Sequence, residues 1–117
     1  MFCLKSKDSS YFLNVETIYL IGQSNGTNYY KIGRTKHIKA SERIPGLQTG
    51  NPSELYVVRE FKTDRSSVLE SMLHRHYNRK RVLNEWFELS DEDVLGFIKQ
   101  CEKYQKIMDC LKDNPFF

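Results

Sequence analysis

Five side chains in this 117-residue chain, Tyr19, Lys31, Arg43, Glu70 and His74, are of the types that together cut a phosphodiester. That reaction needs a base to activate water, positive charge on the phosphorane oxygens and, usually, a hard divalent ion near the leaving oxygen. Tyr19 suits the base: free tyrosine titrates near 10, and an adjacent ammonium such as Lys31 favours the phenolate. Arg43 offers a planar fork for two phosphate oxygens, which lysine cannot copy. Glu70 supplies one oxygen ligand to a magnesium-type ion, which completes its octahedron with water and substrate phosphate, so a single carboxylate is expected. His74, one helical turn after Glu70, is placed to bond a phosphate, to shuttle a proton or simply to fill a polar gap. Each of the five also has an ordinary structural role open to it, as a strand tyrosine, a solvated lysine or a helix-surface acid.

For these residues to meet, the chain must fold in a particular way. Thr17-Ile-Tyr-Leu-Ile21 is β-branched and aromatic and reads as a strand. After the turn-rich stretch around Asn25-Gly26 comes a second strand, Tyr29-Tyr-Lys-Ile-Gly33. A three-residue loop, Ser24-Asn25-Gly26, would pair Tyr19 directly with Lys31 on one face, and this register is the expected one. Residues 37–44 predict a short helix stopped near Pro45-Gly46. A turn at Thr49-Gly-Asn-Pro52 leads to a third strand, Glu54–Phe61. Asp64 is the expected N-cap of a helix through about Asn78, with Val68, Leu69, Met72, Leu73 and Tyr77 as its buried stripe. Glu85–Leu89 reads as a short strand, with Trp86 and Phe87 as core residues. Ser90 and Asp93 form a capping-box start for a last helix over about 91–112. In that helix Val94, Cys101 and Met108, and likewise Phe97, Tyr104 and Leu111, recur every seven residues. Such a seam serves either to dock the helix on the protein's own core or to pair it with a second copy.

Thr17-Ile-Tyr19, Lys31-Ile-Gly33, Arg43 and Glu70, in that order and spacing, resemble the GIY-YIG nuclease superfamily. The words Lys31-Ile-Gly-Arg34, Leu47-Gln-Thr-Gly-Asn-Pro52, Leu69-Glu-x-x-Leu-His74 and Glu85-Trp-Phe87 are similar to its phage and large-virus branch. Some members of that branch are fused to KilA-N or Bro-type DNA-binding domains. The resemblance implies an α+β fold, a small antiparallel β-sheet flanked by helices. It also implies DNA cleavage through one Mg2+ (or Mn2+) ion held by Glu70. Thr17 stands where the first motif has glycine, which bears on how closely backbone can approach there, and Lys31 where the second has tyrosine. A mechanism with two tyrosines is therefore not available. The domain division expected is an N-terminal arm at 1–16, a nuclease core at 17–89 and a C-terminal helix within 90–117.

Composition sets the outer bounds. At 39% hydrophobic and 13% aromatic residues the chain is globular, which excludes disordered, collagen-like and coiled-coil-only classes. No run approaches the ~20 apolar residues of a membrane span, and a soluble, unexported protein of the cytoplasm or nucleus is expected. Cys3, Cys101 and Cys110 include no Cys-x-x-Cys pair and fit neither a disulfide framework nor a structural zinc site. The net charge of +3 is unevenly spread: residues 31–81 hold twelve Lys/Arg against five Asp/Glu, while residues 85–117 hold four Lys against eight acids. A basic middle segment suits a phosphate-facing surface, with Arg34, Lys36, Lys39, Arg75, Arg79, Lys80 and Arg81 as candidate DNA-backbone contacts. A solvated basic face would have the same composition. Competing functional readings are a catalytically idle DNA-binding or assembly module and an RNA-directed nuclease.

Overall fold

Five strands form: β1 (Glu16–Gln23), β2 (Tyr29–Thr35), β3 (Leu55–Thr63), β4 (Arg81–Leu83) and β5 (Trp86–Glu88). The computed structural model describes residues 15–111. The strands form one antiparallel sheet in the order β3-β1-β2-β5-β4. After β2 a 3-10 turn (Ala40–Arg43) runs into α1 (Ile44–Gln48). Beyond β3 come α2 (Ser66–His76) and, after β5, α3 (Asp91–Leu95) and α4 (Phe97–Leu111). The architecture is the expected α+β, with helices flanking the sheet and a C-terminal helix. The arm expected at 1–16 lies outside the described residues, apart from Val15 and Glu16, the latter opening β1.

Because successive side chains of β1 point to opposite faces, the strand feeds two cores. Ile18, Leu20 and, from β2, Ile32 pack with Leu69, Leu73 and Tyr77 beneath α2 and with Phe97, Cys101 and Met108 of α4. Tyr19 and Ile21, on the other face, pack with Ala40, Leu55 and Leu47 beneath α1. Val94 and Tyr104 lie against the first core beside Phe97, Cys101 and Met108, so the heptad seam docks on the protein's own sheet.

Several expectations about elements are corrected. Tyr19 pairs with Gly33 and Ile21 with Lys31, so the hairpin loop is two residues longer than expected. A shift of two preserves the face, and Tyr19 and Lys31 remain on the same side. The helix expected at 37–44 begins at Ala40 and continues through Pro45 to Gln48, since a proline in the first helical turn forgoes no hydrogen bond. Arg65, not Asp64, precedes α2, and the Asp64 carboxylate instead accepts from Gln105 of α4 at 3.4 Å. Strand β4 is an addition: a hairpin with β5 turns at Asn84, which carries φ 53. The last helix is interrupted at Gly96, while its Ser90–Asp93 capping box is present. Trp86 is half-buried and Phe87 wholly so.

Candidate active site

Strand β5 reaches along β2 only as far as Lys31, with one further bond from the Ile32 amide to the Glu85 carbonyl. Beyond that point the edge of β2 opens into a cleft of about 570 Å³. Tyr19, Lys31, Arg43 and Glu70 all line it, joined by Glu85, Arg34, Lys36 and His37. Four stations scattered over fifty residues of sequence thus face one volume.

Tyr19 is held by its surroundings. A Cβ on Gly33 would lie 2.4 Å from the Tyr19 hydroxyl and 2.6 Å from its ring, so the phenol crosses β2 only because residue 33 is glycine. Burial pushes the phenol up to about 12; Glu85 and Glu70 push the same way, while Arg43 opposes by its charge and by donating a hydrogen bond to it. The expected depression of this phenol by Lys31 is not what the structure shows. The Lys31 ammonium bonds the Glu85 carboxylate at 2.9 Å, which spends its charge on that partner. With burial and the two carboxylates outweighing Arg43, Tyr19 is a protonated phenol at neutral pH.

Glu70 stands on α2 at the cleft, its carboxyl raised above the ordinary range by burial and by Glu85, with His74, Arg34 and Lys31 opposing. Arg34 reaches Glu70 at 3.5 Å and Glu16 at 3.6 Å, and Ser66 Oγ donates to Glu16 at 2.5 Å. The His74 ring lies 5.2 Å from that of Phe87, and its Nε2 bonds the Ile32 carbonyl at 2.9 Å. A carbonyl only accepts, so Nε2 carries the proton and the lone pair left to the ring is on Nδ1. Ligand atoms of Glu70, His74 and Glu85 all lie within 4.8 Å of one another. Beside the one carboxylate expected from the sequence, the structure places a second carboxylate and an imidazole.

Sequence reasoning missed Glu85. Its one signal was position, an acid immediately before the Trp86-Phe87 strand, and only the pairing of that strand with β2 brings it to Lys31. Asn84, next to it, is the turn residue, its carbonyl accepting from Arg81. Thr17 also gains a role: buried, its hydroxyl lies 2.9 Å from the His37 carbonyl and 3.1 Å from that of Ile38, fastening the loop that carries Lys36 and His37. Of the candidate backbone contacts, Arg34 and Lys36 line the cleft, whereas Lys39, Arg75, Arg79, Lys80 and Arg81 do not. Lys80 is engaged by Asp93 at 2.5 Å, and the Arg81 guanidinium covers the Phe87 ring at 5.0 Å.

The sequence pattern of the T5orf172 domain matches residues 16–102, from β1 into α4. The chain belongs to the T5orf172 domain family. A T5orf172 domain is a phage-associated domain of endonuclease-like type, and the match spans every residue lining the cleft. No curated protein and no solved structure matches the chain. In this T5orf172 domain no helix among the described residues is long and apolar enough to cross a membrane.

Proposed function

We propose that this T5orf172 domain is a divalent-metal-dependent DNA endonuclease of GIY-YIG type, hydrolysing a phosphodiester with one ion. The observation that carries this reading is the meeting of Tyr19, Lys31, Arg43, Glu70 and Glu85 in one cleft, with a ligand atom of His74 within 4.8 Å of those of both carboxylates. Two carboxylates and one imidazole suit a hard ion with some tolerance for nitrogen, Mn2+ or Mg2+. Bound there, the ion supplies positive charge beside the leaving oxygen.

Glu70 and Glu85 would hold the ion, with the His74 imidazole as the third donor. An ion held there would compensate the two carboxylates and so lift two of the influences that keep the Tyr19 phenol protonated, while Arg43 favours the phenolate. Once its own proton has passed to bulk water, Tyr19 takes the proton from the attacking water as the phenolate. Arg43 holds two phosphate oxygens, and the Lys31 ammonium, paired with Glu85 in the free protein, is the second cation for the scissile phosphate. Arg34 and Lys36 position the adjoining backbone, with Lys39, Arg75, Arg79 and Arg81 as flanking contacts and Lys80 weakened by Asp93.

The test is supercoiled plasmid with Mg2+ or Mn2+, beside Glu70→Gln and Tyr19→Phe. Expected is metal-dependent cutting, reduced ~10²-fold or more in each variant. Cutting that persists in Glu70→Gln refutes the metal assignment. The catalytically idle module is the second reading, favoured by the Lys31–Glu85 pair and the protonated Tyr19. It predicts salt-sensitive DNA binding with the plasmid left intact under both metals.

A further inference from the structure

A second cavity, of about 400 Å³, adjoins the first and shares Lys31 with it. One wall is Trp86, which stands directly across from Lys31 in the β5–β2 ladder and so on the same face. Opposite are Leu47, at the end of α1, and the loop Thr49-Gly50-Asn51-Pro52. This is the Leu47–Pro52 motif, which the cleavage chemistry leaves without a task.

The loop is built in advance. The Gln48 amide donates to the carbonyls of Asn51 at 3.1 Å and Ser53 at 2.7 Å, while its oxygen accepts from the Leu55 amide at 2.9 Å. The Asn51 side-chain oxygen accepts from the Ser53 amide at 2.9 Å, closing the turn on itself. Gly50 adopts φ +78, a conformation that favours glycine. The result is a cavity whose apolar lining is the Trp86 indole, Leu47 and Pro52 and whose polar lining is Thr49, Asn51 and Lys31, the last shared with the phosphate cleft. Its volume falls in the ~300–1,000 Å³ range of small-ligand sites.

We propose that this slot receives one unpaired nucleobase of the strand being cut, the base adjacent to the phosphate held by Lys31 and Arg43. The inference rests on the nuclease reading for its register and specifies the substrate class of that site. A flat heterocycle with a polar edge matches apolar walls and a polar rim, and stacking on an aromatic side chain is how proteins hold single-stranded bases of any sequence. A base inside a duplex stack cannot enter, so it must be unpaired beforehand or flipped on binding. Continuity through Lys31 selects a nucleotide as occupant, because its base and its phosphate must bind side by side.

Trp86 is the sole tryptophan of the chain, so its emission reports the slot directly. The wild-type protein is titrated in EDTA, which keeps strands uncut, with a short oligothymidine, an abasic strand of the same length and a fully paired duplex. Expected is saturable quenching by oligothymidine, weaker quenching by the duplex, where a base must first be flipped, and an abasic strand bound about ten-fold more weakly, the scale of one lost base stack. Indole emission unchanged by oligothymidine, or equal affinity for the abasic strand, overturns the proposal. No variant is needed, which matters because Trp86 also packs against the second core. The two readings fail separately: plasmid cutting without quenching sinks only the slot, and quenching without cutting sinks only the nuclease.

Discussion

Glu85 sits between Lys31 and the donor atoms of Glu70 and His74, and its removal has opposite effects on two ligands. Glu85→Gln is expected to weaken Mn2+ binding by about ten-fold or more, read by calorimetry, because a carboxylate ligand is lost. In EDTA the same variant should bind DNA more tightly than wild type, since the Lys31 ammonium is released to phosphate; a weaker complex contradicts the pair's role as an internal counter-ion. Gly33 carries a second prediction. Gly33→Ala sets a methyl 2.6 Å from the Tyr19 ring, and the ring must move. A loss of about 1–3 kcal/mol in stability is expected from such overpacking, measured by denaturant unfolding, together with loss of cleavage. Tyr19, Lys31, Arg43 and Glu70 could be read from the text because their residue types are informative at their spacing. Glu85 could not, because it meets Lys31 across 54 residues of sequence and only a strand register brings it there.

The hairpin, α2 and the capped start of α3 are written in local signals, and each formed within a few residues of its expected bounds. What local signals could not give was decided by tertiary partners. The hairpin register sets Gly33 opposite Tyr19, where any Cβ would collide with the phenol, and Asp64 leaves the cap position for Gln105 on α4. The short β4 has no hydrophobic pattern, its three residues all being exposed, and exists by pairing with β5. Thr17 gives this scale its test. Thr17→Val keeps the shape and removes the donor that ties β1 to the carbonyls of His37 and Ile38. Expected is a loss of about 1 kcal/mol in thermal or denaturant stability. Faster amide exchange should be confined to residues 36–39, with weaker DNA binding; exchange unchanged there would show that the hydroxyl does not restrain the loop.

Across the whole molecule, the site is bought with stability, and pH shows it. Glu70 is a carboxyl raised by burial, so its ionised form is disfavoured by the fold at neutral pH. Glu70→Gln in EDTA should therefore melt at a higher temperature than wild type while losing activity, the sign expected of a residue placed for binding rather than for folding. On the alkaline side three buried acids act together. Tyr19 and Tyr77 are pushed from 10.0 to about 12, and Cys101 from 9.0 to about 12, burial being the first cause for each. An acid whose folded pKa lies above its unfolded value keeps its proton in the native state while the unfolded chain has lost it. The native state then binds more protons, and stability falls as pH rises. The melting temperature should accordingly decline from about pH 9, where unfolded Cys101 begins to ionise, and more steeply between 10 and 12 as the two phenols join. Tyr77→Phe, which keeps the ring in the first core, removes one of the three titrations and should flatten that decline without altering DNA cleavage. A decline as steep in Tyr77→Phe as in wild type would mean that this phenol ionises as readily inside the fold as outside it.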